Sequence, residues 1–143
     1  MSEFTLFFYG TLRAAEVRSA VLGDDLPAAH LTDAILENYQ ARRVQGALYP
    51  MLVATPGERA AGLVATGLDR QALKMLDQFE GPNYSRSALR VCTSAGFVKA
   101  DIYLPNHMLS AAEPWDFDSW AKHDMTAFLQ QDCRYGGVRP PSD

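Results

Sequence analysis

The chain is poor in cysteine and histidine, has no excess of positive charge and contains no long apolar run. Its 143 residues include two cysteines, Cys92 and Cys133, with no CxxC pair, and three widely separated histidines, His30, His107 and His123. Two isolated thiols read as buried or inert groups of a cytoplasmic protein, not as a disulfide framework. Histidines without neighbouring Cys, Asp or Glu at ligand spacing predict no metal site. The apolar stretches are only a few residues long, against the ~20 that a membrane helix needs, so no membrane partner is expected. The start, with Glu3 and no basic segment, does not read as a signal peptide. Thirteen Lys+Arg against 17 Asp+Glu give a formal charge of −4. Without a dense basic run, nucleic acid is not an expected partner. No GxSxG, HExxH, Walker A or Rossmann fingerprint is found, which removes the commonest nucleophilic, metalloprotease and nucleotide chemistries.

What is present reads as one domain over residues 1–143, with a frayed tail from about Gly136. Nearly half the residues, 48%, are hydrophobic, enough for a core without staples. Phe4–Tyr9 reads as a strand buried on both faces and stopped by Gly10. Ala14–Leu22 reads as a helix with Val17, Ala20 and Val21 on one face. Ala34–Leu36, Ala41–Val44 and Met51–Ala54 read as short strands, Thr55–Glu58 as a turn, and Ala61–Gly67 as a strand weakened or bulged at Gly62. The clearest helix is Asp69–Phe79, with Asp69 as its cap, an apolar stripe through Leu73, Leu76 and Phe79, and Gly81-Pro82 beyond its end. Tyr84–Thr93 and Phe97–Leu104 read as a hairpin around Ser94–Gly96. A last helix over Ser119–Gln131 has Asp118 as candidate cap. The sum is an α+β fold whose short strands form a mainly antiparallel sheet, open or closed into a small barrel.

Two places look unlike ordinary surface. In Tyr9-Gly10-Thr11-Leu12-Arg13 a buried strand leads through glycine toward a helix. Backbone N–H groups in such a turn can hold an anion or a developing oxyanion, and Gly10 lets a ligand approach the backbone. The plainer reading is a strand-to-helix turn. Glu80, in Phe79-Glu80-Gly81, sits in the last turn of its helix beside the apolar stripe. The negative end of the helix dipole and the apolar surroundings raise the pKa of a carboxyl, as a general acid/base requires. The plainer reading is a solvated helix glutamate.

Together the two places, Tyr9-Gly10-Thr11-Leu12 and Leu76-Asp77-x-Phe79-Glu80-Gly81-x-x-Tyr84-x-Arg86, resemble the γ-glutamylcyclotransferase-like family, in its AIG2-like and γ-glutamylamine cyclotransferase branch. The likeness runs from Phe7 to about Leu104. It implies a small mixed, mainly antiparallel β-barrel with flanking helices, whose Tyr9, Gly10, Thr11 and Leu12, with Tyr84, bind a small γ-glutamyl substrate, and whose Glu80 is the catalytic acid/base. Tyr49, Arg86 and Tyr103 match further family positions and are candidates to line or brace the pocket. The implied reaction closes a γ-glutamyl amide into 5-oxoproline and releases an amine, with no metal or cofactor. The resemblance leaves the amine open: a free amino acid, the ε-amine of lysine, or a polyamine or xenobiotic amine. Two rivals stand beside it: a non-catalytic metabolite-binding or signalling module on the same fold, and a different carboxylate-based enzyme on it.

Overall fold

A computed structural model describes residues 3–106 and 109–133. The expected frayed tail and His107 lie outside the described residues. Six strands and four helices occur among them: β1 Phe4–Phe8, α1 Ala15–Leu22, β2 Leu31–Val44, β3 Pro50–Leu68, α2 Arg70–Glu80, β4 Tyr84–Thr93, β5 Gly96–Pro105, β6 Ala111–Pro114, α3 Phe117–His123 and α4 Met125–Phe128. The sheet runs β3-β1-β5-β4-β2-β6, and β2 also pairs with β3, which closes five strands into a barrel and leaves β6 as an appendage on β2. Every pairing is antiparallel except β1 with β5. The α+β barrel expected from the sequence is the fold.

β1 explains why its apolar run is unbroken. Phe7 and Tyr9 pack in one core cluster with Leu36, Val64, Val91 and Ile102. Leu6 and Phe8 join a second cluster with Val17, Leu76, Phe79, Trp120 and Phe128. Alternation along a strand sends successive side chains to opposite faces, and here both faces are covered.

Several expectations are corrected. The short strands predicted between residues 34 and 67 are halves of two long ones. Thr55–Glu58 does not end a strand. Glu37 pairs with Arg59 and Tyr39 with Ala54, so these four residues bulge opposite Asn38 alone before the ladder resumes. Asn38 (φ 68°) and Gly57 (φ 88°) take the left-handed conformations that the bulge needs, and the Gly57 N–H donates to Asn38 Oδ1 at 3.1 Å. Gly62 is neither weak point nor bulge, since the β2–β3 register passes through it unbroken. It permits close approach: a Cβ there would strike the Phe8 carbonyl oxygen and lie 2.8 Å from Phe7 Cζ. Gly62→Ala is therefore expected to destabilise the barrel by about 1–3 kcal/mol, measured by urea denaturation.

On α1, Ala20 is exposed and the buried neighbour of Val17 is Arg18. The last helix is broken at Asp124, and its cap is Asp116, not Asp118: Asp116 Oδ2 accepts from the Ser119 N–H at 2.9 Å. Cys92 carries a free, partly exposed thiol and is not a buried one; the Cys133 side chain lies outside the described part of the structure. No helix among the described residues is long and apolar enough to cross a membrane. Among them no group of three or more His, Cys, Asp or Glu is placed to hold a metal ion.

Candidate active site

β1 and β5 run parallel, and β4 starts opposite the end of β5, with Tyr84 against Pro105 and Arg86 against Tyr103. Where β1 ends, a pocket of about 360 Å³ of free space, its mouth included, opens in the wall. Phe7–Leu12 form one side of it, Tyr49 and Pro50 a second, and Tyr84, Tyr103 and Glu80 the rest. All six residues singled out as catalytic or substrate-binding, Tyr9, Gly10, Thr11, Leu12, Glu80 and Tyr84, meet in this one pocket. Tyr49 and Tyr103 line it too, whereas Arg86 lies in an adjoining depression with Asp77 and Gly81.

The turn after β1 is a single 3-10 turn, Thr11–Arg13. The Arg13 N–H donates to Gly10 O at 3.0 Å and the Ala14 N–H to Thr11 O at 3.1 Å. In a trans peptide the N–H points opposite to the C=O. The Gly10 and Thr11 carbonyls face into the turn, so the Thr11 and Leu12 N–H groups face out of its open end. Gly10 fits tightly against Pro50, because a Cβ there would lie 2.9 Å from Pro50 Cγ.

The tyrosines form a rigid, neutral frame. Tyr9 Oη donates to the Tyr103 carbonyl at 2.7 Å, Tyr84 Oη to the Pro50 carbonyl at 2.8 Å, and Tyr103 Oη to Asp77 Oδ1 at 2.7 Å. Burial, as the leading cause, raises all four phenols Tyr9, Tyr49, Tyr84 and Tyr103 above their usual range, and the Glu80 charge adds to each. They remain protonated at physiological pH and act as hydrogen-bonding groups, not bases.

Glu80 is the one carboxyl in the pocket lining among the described residues. It is the last residue of α2, whose start is fixed by Asp69 Oδ1 accepting from the Ala72 N–H at 2.8 Å and whose end is fixed by Gly81 at φ 79°. Phe79 packs edge-on against Phe128, which packs on Trp120. Trp120 Nε1 in turn donates to the Leu48 carbonyl at 2.8 Å. The closing helices thus tie the end of α2 to the Tyr49-Pro50 corner, a role that sequence reasoning missed. As a residue Glu80 is half-buried, but burial of its carboxyl is the main reason that its pKa rises from the usual 4.5 to about 8, with Asp77, one turn earlier, as the second cause. Asp77 is held by Tyr103 and by Arg86 Nε at 2.7 Å, and Arg86 Nη1 also reaches Asp101 at 2.9 Å. Arg86 therefore braces the site from outside the pocket. Asp77 stands in the quoted motif, and its i, i+3 spacing to Glu80 was the available signal for its role.

The family described as γ-glutamyl cyclotransferase, AIG2-like, has a sequence profile that matches residues 6–122. The chain belongs to this family. AIG2-like protein C of Arabidopsis thaliana is 30% identical over 132 residues, covering 90% of this chain and 75% of that one. AIG2-like protein D of the same plant is 24% identical over 131 residues, covering 88% and 84%. Among solved structures, a solution structure from Arabidopsis thaliana superposes with a TM-score of 0.69 at 22% identity, covering 99% and 97%. A structure of a γ-glutamyl cyclotransferase superposes with a TM-score of 0.67 at 16% identity, covering 99% and 91%. These superpositions establish the fold of this AIG2-like family member.

Proposed function

We propose that this AIG2-like chain cyclises a γ-glutamyl amide to 5-oxoproline and releases an amine, with Glu80 as general base and then acid. The observation that carries the reading is the meeting, in one pocket, of the Glu80 carboxyl with the Tyr9–Leu12 turn, walled by hydrogen-bonded tyrosines.

Before it can attack, the substrate's α-ammonium must give up a proton, and the ionised Glu80 takes it. The α-nitrogen then bonds to the γ-carbonyl carbon, and the carbonyl oxygen becomes an oxyanion. On collapse, the bond from carbon to the departing nitrogen breaks, Glu80 returns its proton to that nitrogen, and the ring nitrogen passes its second proton to the released amine, which leaves as an ammonium. No water is consumed. The reaction is intramolecular, so the enzyme's work is to hold the reactive conformer and move protons. The Thr11 and Leu12 N–H groups fit the substrate carboxylate or the oxyanion.

The direct test incubates the protein with γ-glutamyl-alanine, γ-glutamyl-ε-lysine, γ-glutamyl polyamines and glutathione, and follows 5-oxoproline by mass spectrometry. Appearance of 5-oxoproline supports the reading, and the best substrate names the amine. Binding of these compounds without turnover favours the non-catalytic module. Asp77→Asn, which removes the second cause of the raised Glu80 pKa, is expected to move the acid limb of the kcat/KM–pH profile to lower pH. An unmoved limb would show that Asp77 does not set it.

A further inference from the structure

Arg18 is a buried charge that the mechanism above does not use. Arg18, on α1, is 5% exposed and lies outside the pocket lining. Its Nη1 donates to the Leu12 carbonyl at 3.0 Å and to the Arg13 carbonyl at 2.8 Å. Its Nε and Nη2 grip both oxygens of Asp25, at 2.6 and 3.2 Å. Asp25 is itself fixed by the Leu26 N–H at 2.7 Å. The planar fork of arginine suits this two-sided grip, which a lysine cannot reproduce.

The two carbonyls belong to the turn that follows Gly10. The Leu12–Arg13 peptide is held at its oxygen by Arg18 and at its N–H by Gly10 O. The Arg13–Ala14 peptide is held at its oxygen by Arg18 and at its N–H by Thr11 O. Fixing these two planes fixes the directions of the Gly10 and Thr11 carbonyls, and with them those of the Thr11 and Leu12 N–H groups. Hydrogen bonds in such a chain also polarise one another.

We propose that Arg18, locked to Asp25, is a positioning residue for the substrate turn, holding the Leu12 and Arg13 carbonyls so that the Thr11 and Leu12 N–H groups stay aimed at an anionic oxygen of the bound γ-glutamyl compound or of 5-oxoproline. This rests on the reading of the turn as the anion-binding part of the site. A merely structural Arg18 would affect folding and leave binding by the folded protein alone.

The experiment compares wild type, Arg18→Lys, Arg18→Met and Asp25→Asn as full chains, at a temperature well below each variant's melting point. It measures 5-oxoproline affinity by calorimetry, and kcat and KM on the best γ-glutamyl substrate. Arg18→Met and Arg18→Lys are expected to lose about ten- to a hundredfold in kcat/KM and to bind 5-oxoproline more weakly, with the pH limb unmoved because Glu80 is untouched. Variants that melt lower but bind and turn over within about twofold of wild type would overturn the inference while leaving the site reading intact. If the Arg18 variants do not fold, the exposed Asp25 decides: a severalfold loss in Asp25→Asn supports the clamp, and unchanged affinity overturns it. A wild type that neither binds nor forms 5-oxoproline overturns the site reading and this inference with it.

Discussion

Replacing Glu80 with glutamine is expected to abolish 5-oxoproline formation, by at least about a thousandfold, while the barrel stays folded and becomes more stable in alkali. The activity loss follows from position. Glutamine keeps the shape and hydrogen-bonding reach of the side chain but cannot take a proton from the α-ammonium or return it to the departing nitrogen. Among the described residues no other carboxyl lines the pocket, and its four tyrosines are held protonated. The stability gain follows from linkage. The folded chain keeps the Glu80 proton up to about pH 8, whereas the ordinary carboxyl loses it near 4.5. Between those values the folded state binds more protons than the unfolded one, so stability falls as pH rises through the window. Glutamine has no proton to lose. The stabilities of the two proteins should therefore coincide below about pH 4.5 and diverge in the variant's favour up to about pH 8, by up to a few kcal/mol, with the melting temperatures following. Thermal scans from pH 4 to 9 read this directly. The same titration predicts that wild-type kcat/KM falls about tenfold per pH unit below pH 8.

The second large effect is expected from Gly10→Val, which should lower kcat/KM by at least about a hundredfold and remove 5-oxoproline binding, with the circular dichroism spectrum unchanged. A Cβ at this position would lie 2.9 Å from Pro50 Cγ and 3.3 Å from Pro50 Cδ, and Pro50 lines the same pocket. The stiff pyrrolidine ring can move aside only by shifting the start of β3. The branched methyl groups then occupy the space where a ligand would meet the Thr11 and Leu12 amides. Gly10→Ala adds only the Cβ and should fall between wild type and valine. Equal activity in all three proteins would place the ligand elsewhere.

The parts of the fold that were legible carry their signals locally. α2 announces itself through Asp69, the stripe ending at Phe79, and Gly81, and each of these does in the structure what its chemistry suggests. β1 and the β4–β5 hairpin are read from continuous apolar character and a Gly-containing turn. The long strands β2 and β3 are hidden, because a Pro-Gly pair signals reversal whether the chain turns back or bulges. Only the partner strand, through Asn38, decides between them. The last helix misleads by one turn, since Asp116 and Asp118 have equal capping chemistry and only the backbone selects Asp116. The pocket was legible through its motifs, down to Tyr9, Gly10, Thr11, Leu12, Glu80 and Tyr84. The support from Trp120 and Phe128 was not assigned to it, because these residues come from a segment far away in sequence. Arg18 was hidden by its helix, where a charged residue reads as solvent-facing until its partners are seen.

The central claim is that Glu80 drives ring closure without water. The measurement that tests it most directly is turnover of a γ-glutamyl amide in water enriched in oxygen-18, with mass spectrometry of the products of wild type and Glu80→Gln. The account predicts unlabelled 5-oxoproline and one equivalent of free amine from wild type, and neither from the variant. Glutamate carrying the heavy oxygen would instead show hydrolysis, and undiminished 5-oxoproline from the variant would remove Glu80 from the chemistry.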